Sequence, residues 1–450
     1  MRKAIDVSAL PKPLKQGALL LSLAAACNDH ATVETAKVKV ISDAKVNMNR
    51  SQQLRSEWKE LGFRDVSEFD EYASHPLFGF YCSNHKSMLL AKHLRETDHL
   101  WLFEGLPDEL DSGEFRTSNF ADMLQLQLSK LFGHTKLPYA FGHGVIKFRA
   151  WMEDKYPHEW RGIKRLVGNR ANIFLENAVV MYYMTKYYME YCNWVMEEAK
   201  AGSSLHSRIA PKLRNPKMMS AMRARAIMFL HVSQPLRVAC KSSGYVDGRA
   251  PSQLDIAPVW CRLLQEVDRL IDNPRLLLQK TYNVFDGMSD SMTESINRYR
   301  TNVRSSDMVD KVFEPAPWID DETLLIIKAD VMALKVRLTS KSGGCAEFLP
   351  GGAFENWRTD ERLRDIMSRV NATSDCIESV FGVLDNIFKY SSDNISKHSG
   401  KMMHYYCHMR LGFLHMYTIC DMQAKRWLYG VLTTPTNGAA ECRGRYLCSW

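Results

Sequence analysis

Apolar residues recur along this chain with two different spacings, and the spacing changes with position. Up to about residue 115 the apolar runs are short. Thr32 to Ser42 alternates and is rich in branched residues, with Val33, Val38, Val40 and Ile41, which predicts a strand ending in Ser42-Asp43. Phe78 to Tyr81 predicts a second strand running into Cys82-Ser83-Asn84-His85, and Met88, Leu89, Leu90 and Leu94 continue as an amphipathic helix. Gly17 to Cys27 reads as a buried helix ahead of the first strand, and Ser51 to Leu61 as a polar helix between the strands. Helices alternating with strands predict a sheet-based α/β layer.

From about Asn119 the spacing becomes helical. Helices are predicted over Asp122 to Phe132, Arg170 to Ala199, Pro216 to His231, Ala257 to Ile271, Asp290 to Val303 and Asp321 to Leu338. Tyr182, Tyr183, Tyr187, Tyr188, Tyr191 and Trp194 crowd one of them; such density is read first as bundle core, with base stacking as the sharper alternative. Glycine pairs at Gly343-Gly344 and Gly351-Gly352 interrupt the pattern. Beyond them, Val380, Phe381, Leu384, Ile387 and Phe388 make Ile377 to Lys389 a helix with one buried face, and Glu378 stands in its first turn, where the helix dipole favours a carboxylate. His398 to Trp427 also reads as helical. The fold class is mixed α/β, mostly α.

Composition narrows the partners. Of 450 residues, 46% are hydrophobic and 24% charged, the balance of a folded globular protein. The net charge of +8 suits a polyanion without requiring one. Arg208, Lys212, Arg214, Lys217, Arg223 and Arg225 cluster on the helical stretch, as a solvated face or a phosphate-binding one. Eleven cysteines without Cys-x-x-Cys pairing point to a reducing, intracellular setting. Against that, Gly17 to Cys27 following Arg2, Lys3, Lys12 and Lys15 has the outline of a secretory signal, although Pro11 and Pro13 break its leader; a secreted or lipid-anchored helical protein is therefore the minor alternative. No stretch is long and apolar enough to span a membrane, so no membrane partner is expected.

The candidate chemistry rests on Asp43 closing a strand, a long helical interruption, and Glu378 in a core-packing helix. That is the layout of an RNase H-like core interrupted by a large α-helical insertion. Asp43-Ala44-Lys45-Val46-Asn47-Met48 resembles the segment around the second catalytic Asp of hAT-superfamily transposases. Cys82-Ser83-Asn84-His85 with Met88-Leu89 looks like the Cys-x-x-His motif downstream of that Asp. Gly168-Asn169-Arg170 is similar to the insertion-domain segment that usually reads Arg-Trp, and Glu378-Ser379-Val380-Phe381 to the segment carrying the last catalytic acid. The spans implied are 1–115 and 346–450 for the two parts of the core and 116–345 for the insertion.

The resemblance implies metal-dependent DNA cleavage and strand transfer. Asp43 and Glu378 would be the catalytic acids and ligands of Mg²⁺ or Mn²⁺; Cys82, His85, Asn169, Arg170, Arg223 and Arg225 would contact DNA. It also implies a nuclear location, DNA as partner and possible homo-oligomers. Two departures stand against retained cleavage: the family's first catalytic Asp has no counterpart, so the expectation is a start truncated or decayed, and the Trp after Arg170 is Ala171. A non-catalytic DNA- or protein-binding remnant is therefore the second reading. Zinc is not expected, because Cys82 and His85 supply half a site and His404-x-x-Cys407 is the only comparable pair.

Overall fold

The computed structural model describes residues 25–28, 78–103, 120–133, 144–164, 166, 171–197, 204–240, 251–286, 288, 306–340 and 344–373. The chain divides into two compact units, one drawn from both ends (1–82 and 365–450) and one continuous (83–364). Most of the described residues are helical.

In the first unit, β1 (Ala25–Asn28) pairs in parallel with β2 (Phe78–Tyr81), in the register Ala25 to Phe78 through Asn28 to Tyr81. Among the described residues this is the only sheet. The strand at Phe78 to Tyr81 falls where its sequence predicts it. The helix expected through Cys27 does not: Ala25 to Cys27 is strand. Alanine favours helix by under a kcal/mol per residue, so a hydrogen-bonded neighbour such as Phe78–Tyr81 can override it. Parallel neighbours need a crossover connection. The predicted strand Thr32 to Ser42 and the helices Ser51 to Leu61, Ile377 to Lys389 and His398 to Trp427 lie outside the described residues.

The second unit is built from α1 (Ser83–Phe103), α2 (Phe120–Phe132), α3 (Gly144–Lys155), α4 (Ala171–Glu197), α5 (Ser204–Arg214), α6 (Pro216–Met228), α7 (Gln234–Ala239), α8 (Gln253–Asp272), α9 (Asp307–Phe313) and α10 (Asp320–Thr339). A further helix, α11 (Glu361–Arg369), runs across the boundary between the units. The predicted helix Asp290 to Val303 lies outside the described residues.

Local chemistry starts the helices where they start. Asn215 caps α6 by accepting from the Met218 amide, with Pro216 in the first turn, and Ser252 and Asp255 form a reciprocal capping box on α8. The 27-residue α4 packs against α6, α5 and α1, while α10 packs against α1, α6 and α8. Every residue of α6 from Met218 to Met228 is buried. A π-helical turn, Phe229–Ser233, joins α6 to α7.

The tyrosines of α4 divide. Tyr188 and Tyr191 are buried, Tyr188 stacked on Phe132 with ring centroids 4.4 Å apart and Tyr191 edge-on to Phe148 at 5.0 Å. Burial pushes the Tyr191 hydroxyl up to about 12. On the outer side Tyr183 donates to Glu159, and Tyr156 of the α3–α4 connection donates to Glu190. These rings form core and clasp the connection to α4.

Candidate functional site

The Cys82-x-x-His85 pair sits where β2 gives way to α1. Cys82 follows the strand directly and is buried; His85 stands in the first turn of the helix and is partly exposed. The next residue, Lys86, points into the helical unit. It is 3% exposed and pairs with Glu347, itself buried in a short 3₁₀ turn, Ala346–Phe348. The Lys86 ammonium also lies 5.8 Å over the Trp260 ring and 5.1 Å over Phe348, and donates to the Gly344 carbonyl at 3.4 Å. Around it, Cys345 donates its thiol to the Trp260 carbonyl at 2.9 Å. Burial holds the Glu347 carboxyl above the usual glutamate range, while Lys86 pulls it back.

Sequence reasoning missed this cluster. Lys86 and Glu347 are 261 positions apart, and no local pattern pairs them. The one available signal was the glycine pair at 343–344: Gly344 lies flat on Trp260, where a Cβ would come within 2.3 Å of the ring.

Arg223 and Arg225, expected to face phosphate, are each 1% exposed. Arg225 donates to Asp122 at 2.8 Å and Gln125 at 3.1 Å; the same aspartate receives Arg95 at 2.6 Å. Arg223 donates to the Val312 carbonyl at 2.9 Å, the Glu314 carbonyl at 2.8 Å, and Asp320. Both guanidinium groups are buried in the helical unit on these partners, not on its surface, where a phosphate contact would require them. The reason is α6 itself, which is buried on every side from Met218 to Met228. Lys212 is also buried, on Gln127 at 2.9 Å. Of the basic cluster, Arg208 and Arg214 are exposed and Lys217 half-buried.

No family model, curated protein or solved structure matches this chain.

Asp43, Asn169, Arg170 and Glu378 lie outside the described residues. Among the described residues, no three His, Cys, Asp or Glu side chains converge on a point that would hold a metal ion. Cys82 and His85 remain two donors, short of a zinc set, and His404 and Cys407 lie outside the described residues. No helix among the described residues is long and apolar enough to cross a membrane.

Proposed function

We propose that this chain is a hAT-like, transposase-derived protein that acts on DNA, with metal-dependent strand cleavage as its ancestral chemistry. The observation that supports this reading is the division of the chain: a unit carrying a parallel strand pair is drawn from both ends of the sequence, and the helical unit 83–364 interrupts it. The order of motifs agrees, since Cys82 and His85 stand at that interruption. On this reading Asp43 and Glu378, which fall in the two flanking spans, hold Mg²⁺ or Mn²⁺. The ion supplies activation of water and stabilisation of the leaving oxygen. Because β1 ends at Asn28, Asp29 also directly follows a strand, and it belongs in the same test.

The test is nicking of supercoiled DNA by the full chain with Mg²⁺ or Mn²⁺. Cleavage abolished by Asp43→Ala, Asp29→Ala or Glu378→Ala carries the catalytic form of the reading. DNA retention that weakens steeply with salt, without nicking, selects the non-catalytic remnant. A chain that neither nicks nor retains DNA overturns both.

A further inference from the structure

The outer side of α4, with Tyr183 and Tyr187, meets the turn after α3 that carries Tyr156. All three rings are half-buried. Tyr156 and Tyr187 stand with centroids 5.0 Å apart and planes at 63°. The Lys186 ammonium lies over both, 5.7 Å from each centroid, so the two faces form a wedge around one cation. Tyr183 continues the aromatic surface 6.2 Å from Tyr187, with Arg161 lying 5.9 Å over it. An ammonium between two ring faces is a cation–π site, and this chain fills it with a lysine of its own.

Two carboxylates border the rings. Glu190 accepts from the Tyr156 hydroxyl and Glu159 from the Tyr183 hydroxyl. Both donors are neutral, so the charge of each glutamate stays beside the rings and favours a cation there. The Glu190 bond raises the Tyr156 hydroxyl above its ordinary value, which keeps that ring uncharged at neutral pH. The turn is held in an uncommon backbone conformation, with His158 at φ 76° between Tyr156 and Glu159. A left-handed residue other than glycine persists where its surroundings over-determine it, and the two Tyr–Glu bonds do so here.

Lys186 itself is exposed, and its primary ammonium carries a strong hydration shell that the rings strip away. A methylated ammonium has less hydration to lose and more apolar surface to lay on the rings. We propose that the Tyr156–Tyr187 wedge binds a methylated lysine side chain of a partner peptide, which takes the place of Lys186. The occupant follows from the structure: the wedge holds a lysine ammonium already, and its border is acidic. The site lies within the helical unit and does not depend on the nuclease reading.

The test is fluorescence anisotropy of a labelled short peptide with one trimethyllysine, titrated with the full chain. The same peptide with plain lysine, or with the uncharged tert-butyl isostere of trimethyllysine, serves as comparison. The trimethyllysine peptide is expected to bind at least about tenfold tighter than either, the isostere isolating the charge that a cation–π site reads. Tyr187→Ala abolishes the preference and Tyr187→Phe, which keeps the ring, retains it. Lys186→Ala leaves both rings in place and empties the wedge, so it binds the trimethyllysine peptide several-fold tighter. An unaltered chain that does not bind or does not discriminate, or a Lys186→Ala variant that binds more weakly, overturns the proposal. Choline that competes as tightly as the peptide binds overturns the assignment to a lysine side chain.

Discussion

Lys86 and Glu347 form an ion pair with both side chains withdrawn from water, at 1% and 8% exposure. The pair ties the first helix of the helical unit to the turn after its long tenth helix. Separating two such charges from solvent is costly, so removing one partner is worse than removing both. Lys86→Met or Glu347→Gln alone should cost about 3–5 kcal/mol, whereas Lys86→Met with Glu347→Leu recovers much of the loss. Urea unfolding of the two single variants and the double variant measures the difference.

The same carboxyl sets a pH dependence. Burial raises Glu347 above its unfolded value, so the native state binds the proton more tightly than the unfolded state does. Its contribution is fully present below the ordinary glutamate range and is lost as pH rises through the raised folded value. Chemical unfolding at a series of pH values should show stability falling across that interval, and Glu347→Gln should flatten that part of the curve.

Asp122 receives both Arg95 and Arg225, and Arg225 has no route to water. Asp122→Ala leaves a buried guanidinium without its counter-charge and should destabilise by about 3–5 kcal/mol. If the chain retains DNA, replacing Arg225 with Met should lower thermal stability without changing the slope of retention against salt, whereas Arg208→Ala should shift that slope. Filter binding across a salt series separates the two.

Gly344 lies against the Trp260 indole, with a built Cβ 2.3 and 2.4 Å from ring carbons Cε3 and Cζ3. A rigid ring buried to 0% exposure cannot step aside. Gly344→Ala should therefore cost at least the ~1–3 kcal/mol of an overpacked core, read as a lowered melting temperature.

Burial pushes the Cys192 thiol up to about 12 and the Cys345 thiol higher still. Neither side chain presents thiolate near neutrality, and neither is accessible. Brief iodoacetamide treatment at pH 8 should leave both unlabelled in the native protein and label both after unfolding in guanidinium, as peptide mass mapping would show.

Much of the helical unit was legible from periodicity, because a helix long enough to repeat its apolar face several times announces itself. The α4, α8 and α10 helices stand within a few residues of their predicted ends, and the strand at Phe78–Tyr81 stands where its apolar run placed it. The Ala-rich strand at 25–28 was not legible, since alanine carries no β signal and only its partner makes it a strand. The burial of Arg223 and Arg225 had a signal that was passed over. Eight of the thirteen residues from Pro216 to Met228 are Met, Ala or Ile, and a helix this rich in small and apolar residues packs inside, taking Ser220, Arg223 and Arg225 with it.

By itself, then, the order of residues determined which stretches of the helical unit coil, with Asn215 and Ser252 supplying local caps to two of the helices. Those properties follow from neighbours within a few positions. Only the tertiary structure decided that Lys86 meets Glu347, that Asp122 binds two arginines, and that Lys212, Arg223 and Arg225 of the basic cluster are buried. Each of these pairs residues far apart along the chain, and a charge is drawn into a core only when packing delivers its counter-charge to the same place.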